Sequence, residues 1–132
     1  MSRKNAATVN GARTTRSHSP DHVRPVDLVH LAKYTMGNRE LEHEVLTLFS
    51  KQSLIYLERL RNAADQQTWK EAAHTLKGSA RGIGAWQVAD VVARLEQHPV
   101  AKGGKKKEQM VEDLCQSVET ANDFIESLLS DD

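Results

Sequence analysis

One stretch of the chain groups residue types that can do chemistry together: Ala73-His74-Thr75-Leu76-Lys77-Gly78-Ser79. On a helix, residues three and four apart share a face. Lys77 can therefore reach whatever His74 carries, and Gly78 leaves open space beside it. A glycine in a helix interior costs roughly 1 kcal/mol relative to alanine, so its place next to a histidine points to something large that must come close. An imidazole has an unperturbed pKa of about 6.5, and in its neutral form one ring nitrogen keeps a lone pair that can act as a nucleophile. Phosphoryl transfer spreads charge over the oxygens of the moving group, and a nearby cation helps to hold and stabilise it. Lys77 is placed to do that. Arg81, one further turn along, offers a second positive charge or a contact to an acidic partner surface.

Other chemistries fit the sequence less well. Ser/His/Asp or Cys/His catalysis needs a nucleophile and base held in a cleft, for which a small helical chain has little room. No glycine-rich strand-to-helix loop is present to cradle nucleotide phosphates. His18 and His22 fall in a polar N-terminal segment, and His30, His43 and His98 lack ligand-like spacing to partners, so no metal site is expected. The single cysteine, Cys115, has no cysteine with which to pair.

The elements that must position this patch read as helices from about Pro25 onward. A first short helix, about Val26 to Met36, turns Leu28, Leu31 and Ala32 inward and stops at Gly37-Asn38. The second, about Arg39 to Ala64, has Leu41, Val45, Leu48, Phe49 and Ile55 at helical spacings, with Leu57 and Leu60 widening the stripe. The third, about Thr68 to Arg81 with Thr68 as its cap, puts Trp69, Ala72, Ala73, Leu76 and Ala80 on one side. At about 100° per residue, His74 lies about 200° from Leu76, while Lys77, Gly78 and Arg81 return to within about 60° of it. The histidine is thus predicted to face outward. Gly82-Ile83-Gly84 ends this helix. The fourth runs from about Trp86 to Gln97 on Val88, Ala89, Val92 and Leu95, before Pro99. A Gly- and Lys-rich loop over Val100 to Lys107 leads to the fifth, about Lys105 to Leu129, which repeats Val111, Leu114, Val118, Ala121, Ile125 and Leu128. No segment alternates as a strand does. The fold class is all-α: an antiparallel up-down four-helix bundle with a short additional N-terminal helix.

The 132 residues suit one domain, and 39% hydrophobic with 27% charged residues is the balance of a globular protein. Zero net charge hides an asymmetry. Residues 1–24 hold Arg3, Lys4, Arg13, Arg16 and Arg24 against Asp21 alone, whereas the remainder carries 13 basic and 17 acidic residues. This Ser-, Thr-, Asn- and Arg-rich stretch has the composition of a disordered basic leader, with residues 25–132 forming the bundle. It lacks the aromatics expected of a nucleic-acid contact and the amphipathic helix of a transit peptide. No run is long and apolar enough to cross a bilayer, and the N-terminus lacks a secretory apolar stretch. A cytoplasmic protein is expected.

Ala73-His74-Thr75-Leu76-Lys77-Gly78-Ser79-Ala80-Arg81-Gly82-Ile83-Gly84-Ala85 resembles the signature of histidine-containing phosphotransfer (HPt) domains, the carrier modules of multistep phosphorelays. The likeness runs from about Pro25 to Leu129, taking in a Pro-Val-Asp-Leu start, Leu48-Phe49 in the second helix and Leu95-Glu96 closing the fourth. It implies that His74 accepts a phosphoryl group from a receiver-domain aspartate and passes it to another, on response regulators or hybrid histidine kinases. Lys77 would assist, Gly78 would admit the receiver's loops, and the catalytic Mg²⁺ would be held by the receiver, with no cofactor on this chain. It further implies a carrier without an ATP site or autokinase activity. Arg81-Gly82 departs from the small or amide residues such domains often carry, which bears on partner choice. The dimerisation region of a histidine kinase fits less well, because Thr75 stands where an acidic residue usually follows the histidine. A monomer is expected, since the reactive face must stay free. The alternative from another class is a non-catalytic helical adaptor that docks receiver domains.

Overall fold

Each of the first three helix starts is set by a side chain that satisfies backbone N–H groups left over in the first turn. Asp27 accepts from the His30 amide at 3.1 Å, Asn38 from Leu41 at 2.9 Å and Asp65 from Thr68 at 2.7 Å. The computed structural model describes residues 24–99 and 103–130 of the chain. Within them lie α1 (Leu28–Tyr34), α2 (Arg39–Asn62), α3 (Gln66–Ile83), α4 (Trp86–Gln97) and α5 (Gly104–Ser130), with no strand among the described residues. The expected leader, Arg24 aside, lies outside the described residues.

Helices α2 to α5 form an antiparallel ring in which each packs on its sequence neighbour and α5 closes against α2, while α1 lies on α3. Leu60, Leu76, Val92, Leu95, Leu114, Val118 and Ile125 are buried at the centre. Trp69 is fully buried from α3, and its indole N–H donates to the Leu95 carbonyl of α4 at 2.9 Å, so the largest core side chain leaves no unpaired donor. Asn122 of α5 donates to Ser53 Oγ of α2 at 3.2 Å, tying the other side of the ring.

The α3–α4 turn is where backbone freedom is required. Gly84 caps α3 with φ 80°, and a Cβ there would come within 2.8 Å of the Asp27 Cβ. That closeness lets the Asp27 amide donate to the Gly84 carbonyl at 2.9 Å, while the Asp27 carboxylate accepts from the Trp86 indole at 2.9 Å. One aspartate thus starts α1 and straps it to the end of α3 and the start of α4. Asp27→Ala is expected to cost about 2 to 3 kcal/mol, about 1 for the cap and the rest for the hydrogen bond to a charged acceptor. Urea unfolding at neutral pH measures it, and a loss under about 1 kcal/mol would show that the strap holds nothing beyond the cap.

The structure corrects the sequence reading on α1, α2, α3 and the segment before α5. On α2 the buried residues are Leu46, Phe49, Ser53, Leu57 and Leu60, whereas Leu41, Leu48 and Ile55 are 38%, 52% and 51% exposed. The helix carries two apolar stripes about 140° apart, and the bundle buries only one. On α1 Leu31 is buried but Ala32 is exposed, about 100° round the helix from the inward side that Leu31 shares with the buried Thr35. Helix α3 begins two residues before Thr68, and the cap is Asp65. The Gly- and Lys-rich stretch is helical from Gly104 onward, where Lys107 places its ammonium 5.2 Å from the centre of the Trp69 ring. Helix α4 spans the expected residues.

Candidate functional site

The core face of α3 consists of Trp69, Ala72, Ala73, Leu76, Ala80 and Ile83, all buried. Burying that stripe forces the opposite one into solvent, and the His74 side chain is 76% exposed. A Cβ added to Gly78 would meet nothing within 4 Å, so the space beside the imidazole is open. Gly82, one turn on, would put its Cβ in ordinary contact with the Tyr34 ring at 3.7 Å. Tyr34 therefore flanks the same outer side of α3 and is itself exposed. Arg81 is exposed, two turns along the His74 stripe.

Lys77 stands next to His74, but its ammonium is bonded to Glu96 Oε1 in the last turn of α4. The second carboxylate oxygen of Glu96 is 3.6 Å from His74 Nδ1. Glu96 and Lys77 are each 17% exposed, so this pair is far more shielded than the imidazole it faces. The Lys77 hydrogen bond holds the Glu96 carboxyl below its ordinary value of 4.5, burial partly offsetting it and the charges of Lys77 and His74 adding to it. The sequence reading did not give Glu96 a place beside His74. The available signal was an acid near the C-terminal end of α4, the helix antiparallel to α3, but its level against Lys77 depends on the register of packing.

The sign of that shift fixes a pH dependence. A carboxylate whose folded pKa is lowered stabilises the fold above its unfolded value, and the stabilisation is lost as pH falls through the folded one. The parent is expected to exceed Glu96→Gln in stability at neutral pH, with the difference vanishing as pH drops below about 4.5. Denaturant unfolding of both proteins at a series of pH values reads it. A gap that is constant with pH would mean that the pair contributes by packing alone.

Between Glu96 and open solvent the imidazole has two unlike nitrogens. Nδ1 faces a carboxylate, and Nε2, the ring nitrogen farther from the backbone, is free to meet an electrophile arriving over Gly78. Among the described residues no group of three His, Cys, Asp or Glu side chains is placed to hold a metal ion. His18 and His22 lie outside the described residues. Tyr34, Met36, Leu41, Leu48 and Ile55 are exposed apolar side chains on α1 and α2 and in the turn between them. No described helix is long and apolar enough to cross a membrane.

Comparison with known proteins gives this arrangement a context. In structure the chain is similar to the histidine phosphotransferase ShpA from Caulobacter crescentus, with 28% identity and a TM-score of 0.62 over 81% of this chain and 92% of that one. It is also similar in fold to histidine-containing phosphotransfer protein B (HptB) from Pseudomonas aeruginosa PAO1, with 20% identity and a TM-score of 0.69 over 78% and 92% of the two chains. No curated protein sequence matches it. A family model of the Hpt domain matches residues 44–131, a span that holds His74, Lys77, Gly78 and Glu96 together, and the chain belongs to the Hpt domain family, the histidine phosphotransfer proteins of phosphorelays.

Proposed function

We propose that His74 is the phosphoacceptor, taking a phosphoryl group from the aspartate of one receiver domain and giving it to the aspartate of another. The observation that carries this reading is the exposed imidazole of His74 beside the open space at Gly78, on a helix whose other face is locked into the core. The Nε2 lone pair attacks phosphorus as the acyl-phosphate P–O bond breaks and the aspartate leaves as a carboxylate. Donation is the reverse. Because His74 projects from a helix whose other face is locked into the core, little backbone freedom is lost when a receiver presents its aspartate.

Hpt proteins are phosphotransfer carriers, not kinases, and we read this chain as a carrier that is regenerated in each cycle. Receiver domains are its partners, and the exposed apolar side chains of Tyr34, Met36, Leu41, Leu48 and Ile55 supply surface for them to cover. Arg81 contacts the acidic rim of the receiver. Mg²⁺ belongs to the receiver, since Glu96, the carboxylate beside His74, is already engaged by Lys77. The protein works as a cytoplasmic monomer, its reactive face left free. Incubation with a phosphorylated receiver domain and Mg²⁺ tests the reading: label must appear in acid-labile, base-stable form and depend on His74.

A further inference from the structure

We propose that the groove between α2 and α5 is the docking site of the chain's own basic N-terminal segment, residues 1–23, with Arg13 and Arg16 set against Glu119, Asp123 and Glu126. His74 stands on α3 beside α4, so this contact leaves its face open and does not depend on its role as phosphoacceptor.

The groove has a volume of about 600 Å³ and is lined by α2 and α5 alone. Glu119, Asp123 and Glu126 follow one another at spacings of four and three, so one face of α5 presents three carboxylates to it. All three are exposed, and Lys51 is the one base in the lining. Among the described residues no lysine or arginine forms an ion pair with them, whereas Glu58 has Arg61 and Glu96 has Lys77. Between the acids the walls are apolar: Ile125 is buried, Leu129 is half-buried and Leu54 is 55% exposed. An arginine suits such a lining, because its methylene stem covers aliphatic surface while its guanidinium forks onto a carboxylate.

The N-terminal segment carries the opposite charge and departs from the matching end of the bundle. Residues 1–23 hold Arg3, Lys4, Arg13 and Arg16 against Asp21 alone, and their few apolar side chains give them little to bury, so charge must carry the contact. Asp27 bonds to Gly84 at the end of α3 and to Trp86 at the start of α4, which fixes where the segment leaves the bundle. Helix α5 runs antiparallel to α4, so its C-terminal half, and the groove with it, lies toward that same end. Crossing from α1 to the α2–α5 edge takes about two interhelix spacings, roughly 20 Å. Arg16 and Arg13 stand eight and eleven residues before Arg24, a reach of about 26 to 36 Å. Tethering raises the local concentration of the segment to about the millimolar range, where a few ion pairs, each worth about 0.2 to 1 kcal/mol, populate a contact.

The test follows the backbone amides of residues 10–18 in the full chain by nitrogen-15 relaxation, which reads fast backbone motion. With the segment docked, the steady-state NOE of these amides is expected to be positive, and to drop toward that of a free chain in Asp123→Lys/Glu126→Lys. About 1 M salt, where the screening length is about 3 Å, is expected to produce the same drop in the parent. Reversing both sides, by joining Arg13→Glu/Arg16→Glu to Asp123→Lys/Glu126→Lys, is expected to restore the parent's values, which a variant that merely loosens the bundle could not do. Amide shifts in α3 and α4 that match the parent's show each variant folded. Equal NOE values in the parent and in Asp123→Lys/Glu126→Lys overturn the proposal and leave the groove to a basic segment from another protein. NOE values that fall on dilution put the segment in the groove of a second copy and overturn docking within one chain.

Discussion

His74→Gln is expected to fold and melt as the parent does while its acceptance of phosphoryl from a receiver falls by more than about 10³-fold, the scale on which loss of a nucleophile registers. The structural half of this expectation follows from exposure. The side chain is 76% exposed and its nearest charged neighbour is a carboxylate already engaged by Lys77. Surface changes of this kind stay within about 0.5 kcal/mol, and glutamine is a good helix former. The chemical half follows from the loss of Nε2, since an amide nitrogen has no comparable lone pair to offer. Transfer from a phosphorylated receiver, read beside thermal unfolding and receiver affinity, separates three outcomes. Loss of label with affinity kept supports the carrier. Label equal to the parent's moves the acceptor elsewhere on the chain. Unchanged binding by a parent that itself never takes label is what the adaptor reading requires.

How far the sequence foretold this site depends on whether a feature is local to one helix or lies between two. The outward phase of His74 was legible because α3 carries a single apolar stripe, from Trp69 to Ile83, and every residue of it is buried. Helix α4 was legible to its ends, bracketed by Gly84 before and Pro99 after. On α2 the same method succeeded only in part, with Phe49, Leu57 and Leu60 buried as expected and Leu41, Leu48 and Ile55 exposed. Leu41, Leu48 and Ile55 repeat at sevens as regularly as a core stripe does, yet the bundle buries Leu46, Phe49, Leu57 and Leu60. Which of two stripes turns inward is decided by the neighbours of the helix. The exposed stripe then makes sense as surface for a partner, which the protein's own packing does not require.

Glu96 was hidden for a related reason. Nothing within α4 distinguishes an acid near its C-terminus from any solvated charge, and a negative group there is mildly disfavoured by the helix dipole. Its meaning comes from antiparallel register, which brings it level with Lys77 and His74 across a gap of 19 residues from the lysine. Lys77 illustrates the converse. Spacing correctly set it beside the histidine, but spacing could not show that its ammonium is drawn toward α4. Thr68 shows the same limit on a smaller scale: it has the side chain of a cap, yet its amide is the group being capped, by Asp65.

Gly78→Leu gives the second large effect, and here stability and function are expected to move in opposite directions. Nothing lies within 4 Å of a Cβ built at this position, so the new side chain projects into solvent without displacing any neighbour. Replacing glycine in a helix interior by a good helix former restores about 1 kcal/mol. The variant should therefore melt higher than the parent. The same branched side chain would occupy the space one turn from His74 through which a receiver must bring its aspartate to Nε2. A displacement of about 1 Å between reacting atoms can cost about 10²-fold, and a leucine displaces the partner by more than that, so transfer should fall at least this far. Gly78→Ala, with a single methyl, should raise stability and lower transfer only in part. Calorimetry and transfer kinetics on the two variants test the argument together. Full transfer by a stabilised Gly78→Leu would mean that receivers approach from the Glu96 side, and the cost of a glycine in this helix would need another cause.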